Sequence, residues 1–186
     1  MFGFGIYKKR DVELYRELYE SDEIMIHKLR KDIMNLEESR DLVDYIKAIK
    51  DDSIVGIVQN KDRELFALTK REDYNNLTIT MKNSYRNEYP YVNVTLYKNV
   101  KVDELGVIWT ANQELFVEGI FAKNKRKGNG RILINAVISY AKANQYNSIA
   151  GRIIDEDKNA TPGLPDFYEE MGFTLNEEGS YFKMKL

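Results

Sequence analysis

After Lys50-Asp51-Asp52 the sequence changes its hydrophobic period, and that change limits the possible folds more than any other feature. Upstream, apolar residues recur at helical spacing. Downstream, "SIVGIVQ", "ELFALTK", "NLTITMK" and "YVNVTLY" are short, β-branched and separated by polar turns such as "NKDR". A helical part of about fifty residues followed by sheet argues against an all-α or all-β chain and predicts one mixed α/β domain over residues 1–186. In the first part, Val12, Tyr15, Leu18 and Tyr19 predict a helix from Asp11 to about Glu20. A second helix is announced by Asn35 with Glu38 three residues on, a capping-box arrangement, and Leu42, Val43, Ile46 and Ile49 supply its apolar face. "DEIMIHKLRKDIM" between them also reads as helical.

Further along, "GVIWT" and "ELFVEGIF", separated by "ANQ", read as a hairpin. Ile134, Val137, Ile138 and Ala141 mark a helix beyond Gly130. It is followed by the strand "SIAGRII", a loop with Pro162 and Pro165, and the short helix "DFYEEM". "GFTL" and "YFKMKL" close the chain as two antiparallel strands. There is no internal repeat and no linker.

Composition removes several classes of chemistry. The chain has no cysteine, which excludes disulfides, thiolate metal sites and a cysteine-linked acyl-enzyme. A single histidine, His27, leaves little for a zinc site, so no metal is expected. Apolar runs are short, and "MFGFGIYKKRDVE" has no signal-peptide pattern; the expectation is a cytoplasmic protein without a membrane partner.

The chain carries a formal net charge of -2, yet "KNKRKGNGR", residues 123–131, holds five basic side chains, no acid and two glycines. The order is strand, basic turn, apolar-faced helix. It places unpaired backbone amides and the positive end of the helix at Gly128 to Arg131. Glycine lets a backbone approach an anion closely, and Lys125, Arg126, Lys127 and Arg131 add charge-assisted contacts. The pattern reads as a phosphate cradle. It lacks the dinucleotide fingerprint and the Walker Lys-Ser/Thr pair. A solvated surface turn and a nucleic-acid patch are the competing readings.

"IFAKNKRKGNGRIL" resembles the acetyl-coenzyme A binding motif of the GNAT N-acetyltransferase superfamily: an apolar strand, Arg/Gln-x-x-Gly-x-Gly/Ala, then a helix. Lys125 to Gly130 fill the motif, with Lys125 supplying a point charge where the family prefers Arg or Gln. Asn159 stands where the family carries an Asn after the next strand, "FYEEMGF" is similar to its Tyr-bearing helix ending in Gly-Phe, and "YFKMKL" to its last strand. The resemblance covers roughly residues 114–186, the half implied to bind acetyl-coenzyme A; residues 1–50 are mainly helical.

The resemblance implies a central, mostly antiparallel twisted sheet with splayed fourth and fifth strands, flanked by helices. "FGIYKKRDVELYRELY" would be its first strand and helix, and residues 53–112 leave room for extra strands. It implies transfer of an acetyl group from acetyl-coenzyme A to a primary amine, on a small molecule or peptide, directly in a ternary complex, with no nucleic acid as partner. The cofactor-binding residues it implies are Ile120, Phe121, Ala122, Lys125, Arg126, Lys127, Gly128, Asn129, Gly130, Arg131 and Asn159. Main-chain groups near Gly119, Ile120 and Ala122 would hold the pantetheine between "ELFVEGIF" and "SIAGRII". Tyr168 matches the family's general acid, set against the alternative of a core aromatic. Glu114 and Glu118, on one strand face by the period of two, are the candidate bases. Asp155, Glu156 and Asp157 could attract a cationic amine or form a solvated turn. The alternatives are a catalytically decayed coenzyme-binding module and a nucleic-acid-binding protein.

Overall fold

The computed structural model describes residues 9–50, 52–102, 108–123 and 126–186; for 9–12, 14, 15, 18, 99–102 and 108–112 it describes the backbone alone. The chain divides into two compact units, Met1–Val43 and Asp44–Leu186.

The first unit is built on α1 (Lys9–Ala48), one continuous helix of 40 residues whose last turn belongs to the second unit. This corrects the expected succession of helices. Between Gly5 and Gly56 there is neither glycine nor proline, so nothing in the backbone chemistry stops the helix once it has started. Asn35 lies inside it, where its carbonyl accepts the Ser39 hydroxyl at 2.7 Å. The Asn35–Glu38 spacing is therefore an ordinary i,i+3 pair and no cap. The proposed first strand, within residues 1–8, lies outside the described residues.

The second unit carries an eight-stranded sheet in the order β1-β2-β3-β4-β5-β6-β8-β7. The strands are β1 (Ser53–Gln59), β2 (Leu65–Asp73), β3 (Asn76–Lys82), β4 (Tyr91–Val102), β5 (Ile108–Phe121), β6 (Ser148–Arg152), β7 (Thr174–Leu175) and β8 (Tyr181–Lys185). Every ladder is antiparallel except β5 with β6. The helices are α2 (Asn129–Ala143), α3 (Asp155–Ala160) and α4 (Leu164–Glu170). This is the mixed, mostly antiparallel sheet with helices that the sequence predicts, with β1 to β4 and the start of β5 occupying residues 53–112.

Alternation builds the core. Leu77, Ile79 and Met81 of β3, Val92, Val94 and Leu96 of β4, and Leu115 and Val117 of β5 are buried at every second position. Leu133, Ile134, Val137 and Ala141 of α2 close over them.

Two local expectations are corrected. Ile108 to Thr110 of "GVIWT" do not fold back on "ELFVEGIF"; both lie in β5, which runs 14 residues against β4 with a register shift at Asn99/Val100 that absorbs Ala111 of "ANQ", while Gly106 and Val107 lie outside the described residues. The expected loop after β6 holds α3, whose first turn is Asp155, Glu156 and Asp157. Acids at that place complement the helix dipole, which accounts for the acidic run without an acceptor.

Candidate functional site

The parallel ladder between β5 and β6 is short. It pairs Glu114 with Ser148, Leu115 with Ile149, Phe116 with Ala150 and Val117 with Gly151, and stops there. Both strands continue. On β5, Gly119, Ile120 and Phe121 remain registered with Asn93, Val92 and Tyr91 of β4. On the other side, Arg152 pairs with Tyr181 of β8, and the Ile153 N–H donates to the Ser180 carbonyl at 2.9 Å. Beyond Val117 and Gly151 the two strands therefore part, and among the described residues the β6-facing edge of β5 carries no strand partner. Each strand follows its other neighbour, which pulls them apart. Glu118 falls between the Val117–Val94 and Gly119–Asn93 rungs as the extra residue of a bulge at the opening.

β5 runs from this opening into the basic turn. Arg126 and Gly128 sit at φ 70° and 83°, and Lys127 between them does not share the left-handed conformation. Alternating handedness of this kind turns successive N–H groups toward one concave side. The first helical bond of α2 runs from the Ile132 N–H to the Gly128 carbonyl at 3.2 Å, so the N–H groups of Asn129, Gly130 and Arg131 precede the ladder. At Gly128 a Cβ would meet the Lys61 stem at 3.2 Å, and the positive φ disfavours any other residue.

The side chains of the turn are arranged differently from the expected row of phosphate ligands. Asn129 is 2% exposed, and its amide donates to the Ala122 and Lys123 carbonyls at 3.0 and 3.1 Å while its oxygen accepts from Asn60 at 3.3 Å. It is a staple for the turn, and its side chain is spent there. Lys127 pairs with Asp62 at 2.6 Å, a hydrogen bond that raises its pKa, and approaches Glu64 at 3.7 Å. Arg131 pairs with Glu170 of α4 at 2.7 Å, and Lys123 with Glu88 at 2.8 Å. Among the described residues Arg126 is the basic side chain of this turn left without an ion pair. Lys125 lies outside the described residues. The stretch is thus a cross-linked N–H cradle more than a free positive patch, which weakens the nucleic-acid reading.

Sequence reasoning missed Asn60 and Lys61. Asn60 is 6% exposed, and its oxygen accepts the N–H groups of Asp62 and Glu64, both at 3.0 Å. The Lys61 N–H donates to the Lys127 carbonyl at 2.9 Å. Only the "NKDR" turn signal pointed to this segment, and it carried no hint of a partner at position 129. Replacing Asn129 with Ala leaves two carbonyls without their donor and takes one of the two acceptors from the Asn60 amide; we expect roughly 1–3 kcal/mol of lost stability by denaturant unfolding, with weakened anion binding at the turn.

Tyr168 of α4 is 4% exposed. Its ring stacks on Phe182 at 3.8 Å between centroids, with Phe173 edge-on at 5.7 Å. Phe182 lies over Gly151, the last rung before the opening, so Tyr168 is anchored beside the point where the strands part. Burial, with the Asp157 charge second, pushes the phenol well above its ordinary pKa. Among the described residues its hydroxyl has no hydrogen-bond partner. The ring is a core aromatic, and the hydroxyl is left available.

The two candidate bases separate. Glu114 sits on the first rung, at the closed end of the ladder, about 10 Å along the strand from Val117. It accepts from Ser148 at 2.7 Å and pairs with Lys183. Burial alone would raise its pKa, but these two partners outweigh it and hold the carboxyl below its ordinary value of 4.5. Glu114 is thus a paired carboxylate at the closed end of the ladder, held away from the point where the strands part. Because its folded pKa is depressed, its stabilisation is full above the unfolded value and disappears as pH falls through the folded one. Glu114→Gln should flatten the acid side of the stability profile below about pH 4.5 and leave neutral pH less affected. Glu118, in contrast, is exposed at the opening and accepts the Thr95 hydroxyl at 2.7 Å. Asn159 is exposed on α3. Among the described residues no group of three or more His, Cys, Asp or Glu could hold a metal, and no helix is long and apolar enough to cross a membrane.

No family model matches the sequence, and no curated protein matches it. Among solved structures, the chain is similar to a transcriptional regulator from Bacillus halodurans C-125, at 23% identity over 55% of this chain and 62% of that one, with a TM-score of 0.41. The match spans less than two thirds of that regulator's length. It is also similar to Arabidopsis thaliana NAA60 in complex with acetyl-CoA, at 12% identity over 61% and 78% of the two chains and a TM-score of 0.45. A third likeness is to a candidate GNAT-family acetyltransferase from Desulfovibrio desulfuricans, at 12% identity, 60% and 69% coverage and a TM-score of 0.40.

Proposed function

We propose that the chain is an N-acetyltransferase moving an acetyl group from acetyl-coenzyme A to a primary amine by direct transfer in a ternary complex. The observation that carries this reading is the parting of β5 and β6 after Val117 and Gly151, on the strand that leads into the N–H-lined turn. An open strand edge suits the amide-bearing pantetheine, and free N–H groups at a helix start suit a pyrophosphate, so acetyl-coenzyme A fits the donors present. When bound, it supplies an acyl thioester.

The chain's own residues divide the remaining work. The N–H groups of Asn129, Gly130 and Arg131, with the Arg126 guanidinium, hold the diphosphate. The main chain of Gly119, Ile120 and Phe121 orients the arm along the free edge of β5. Ala122 offers less than expected, because its carbonyl already accepts Asn129. The Glu118 carboxylate accepts a proton from the amine nitrogen, and the Tyr168 hydroxyl donates one to the leaving sulfur.

Incubating the protein with acetyl-coenzyme A and a panel of amines and peptides tests this reading through release of free thiol. We expect release that requires a particular acceptor. Thiol release with none of them, alongside measurable coenzyme binding, would identify a binding module that has lost its activity.

A further inference from the structure

The helix α1 carries a feature with no part in the acetyl-transfer reading. Tyr19, Ile26 and Ile33 recur every seven residues, and so do Leu29, Leu36 and Val43. These are the a and d positions of one heptad frame, and Val12 and Tyr15 continue the spacing in the sequence toward the helix start. All six side chains are large, apolar and exposed, from 45% for Val43 to 69% for Leu36. Exposed apolar residues scattered singly need no explanation, but a seam of this length is an interaction surface. Met25 borders the seam, while Ile24 and Met34 lie outside it.

Two polar residues interrupt the frame between Tyr19 and Val43: Asp22 at a d position and Arg40 at an a position, both exposed. They carry opposite charge and stand at equal distances from the middle of the seam. In an antiparallel pair each a residue faces a d residue of the other helix. Pairing two copies about a two-fold axis near Lys31 sets Asp22 of each opposite Arg40 of the other. The same register stacks Tyr19 on Val43, Ile26 on Leu36 and Leu29 on Ile33, so every apolar residue meets an apolar one. A parallel pair would instead set Asp22 on Asp22 and Arg40 on Arg40 inside the seam, where like charges are costly. The flanking Glu23, Arg30 and Glu37 place Glu23 beside Glu37 and Arg30 beside its own copy in this register, a repulsion at the solvent-exposed rim that screening keeps small, so the seam decides the orientation.

We propose that the occupant of this surface is a second copy of the chain, and that the protein forms an antiparallel coiled-coil dimer through α1 in which the Asp22–Arg40 pairs set direction and register. The surface is self-complementary, as a two-fold contact requires, and a polar residue within a seam is a known way to fix register.

Sedimentation equilibrium of the full chain should give a dimer. Asp22→Arg should raise the dimer dissociation constant by roughly tenfold or more, and the exchange D22R with R40D should bring it back near the original value. In a parallel dimer both variants keep like charges in contact, so neither weakening nor rescue would follow. Because the chain has no cysteine, a variant carrying Asp22→Cys and Arg40→Cys reads the orientation independently. Oxidation followed by peptide mapping should join position 22 of one copy to position 40 of the other. A monomer at every concentration, a single charge change without effect, or a 22-to-22 cross-link overturns the proposal.

Discussion

Tyr168→Phe will lower kcat for acetyl transfer by roughly 10²- to 10⁴-fold, the usual worth of a positioned general acid, and leave the fold standing. The ring stays in place because its stacking on Phe182 and its contact with Phe173 do not involve the hydroxyl. The hydroxyl makes no hydrogen bond among the described residues, so deleting it strands no buried partner. Stability and coenzyme affinity should therefore move little. The loss should fall on kcat more than on KM, since the proton is transferred only in the transition state. Burial, and next the Asp157 charge, keep the phenol protonated at neutral pH, the form a donor needs. Unchanged kcat with a good acceptor would leave Tyr168 as a core aromatic and send the proton through another donor.

Gly151→Ala should produce the largest structural effect of any single methyl group added to this sheet. The new Cβ would stand 2.3 Å from Phe182 Cζ, and 2.8 and 2.9 Å from its two Cε atoms, far inside contact distance. Phe182 has no free volume to retreat into: it is 0% exposed, stacked by Tyr168 and met edge-on by Phe173 at 5.2 Å. Overpacking of this kind costs about 1–3 kcal/mol or more. The displaced ring also moves Tyr168 and the last rung beside the opening, so turnover should fall together with stability. Phe182→Leu in the same chain relieves the clash, and the pair should be markedly less destabilised than the separate effects imply. A Gly151→Ala protein as stable as the parent would mean that Phe182 does not lie over this strand.

How far the sequence could be read depended on whether the deciding interaction was local. The strands β1 to β4, the helix from Asn129 and the closing strands follow from period and turn chemistry, and they stand where those place them. The basic turn was visible because its charges and glycines are contiguous. What failed was non-local or permissive. Asn35 and Glu38 satisfy a capping pattern that a helix interior accepts equally well, so the uninterrupted α1 was divided. The Asn129 side chain looked free to reach a ligand because its partners at Asn60, Ala122 and Lys123 come together only in the fold, the first from 69 positions away. Glu114 and Glu118 are equivalent by strand period. Only the β5–β6 register places one at the closed end, in the hands of Lys183, and the other at the bulge where the strands part.

The central claim is that the parted strands and the N–H-lined turn form one binding site for acetyl-coenzyme A. Isothermal titration of acetyl-coenzyme A into the full chain tests it most directly, with Asn129→Ala and a single-stranded oligonucleotide as the paired controls. We expect saturable binding of one coenzyme per chain, weakened in Asn129→Ala, and no comparable heat from the oligonucleotide. Absence of saturable coenzyme binding, or tighter binding of the oligonucleotide, would contradict the assignment of the turn and the opening as a coenzyme site.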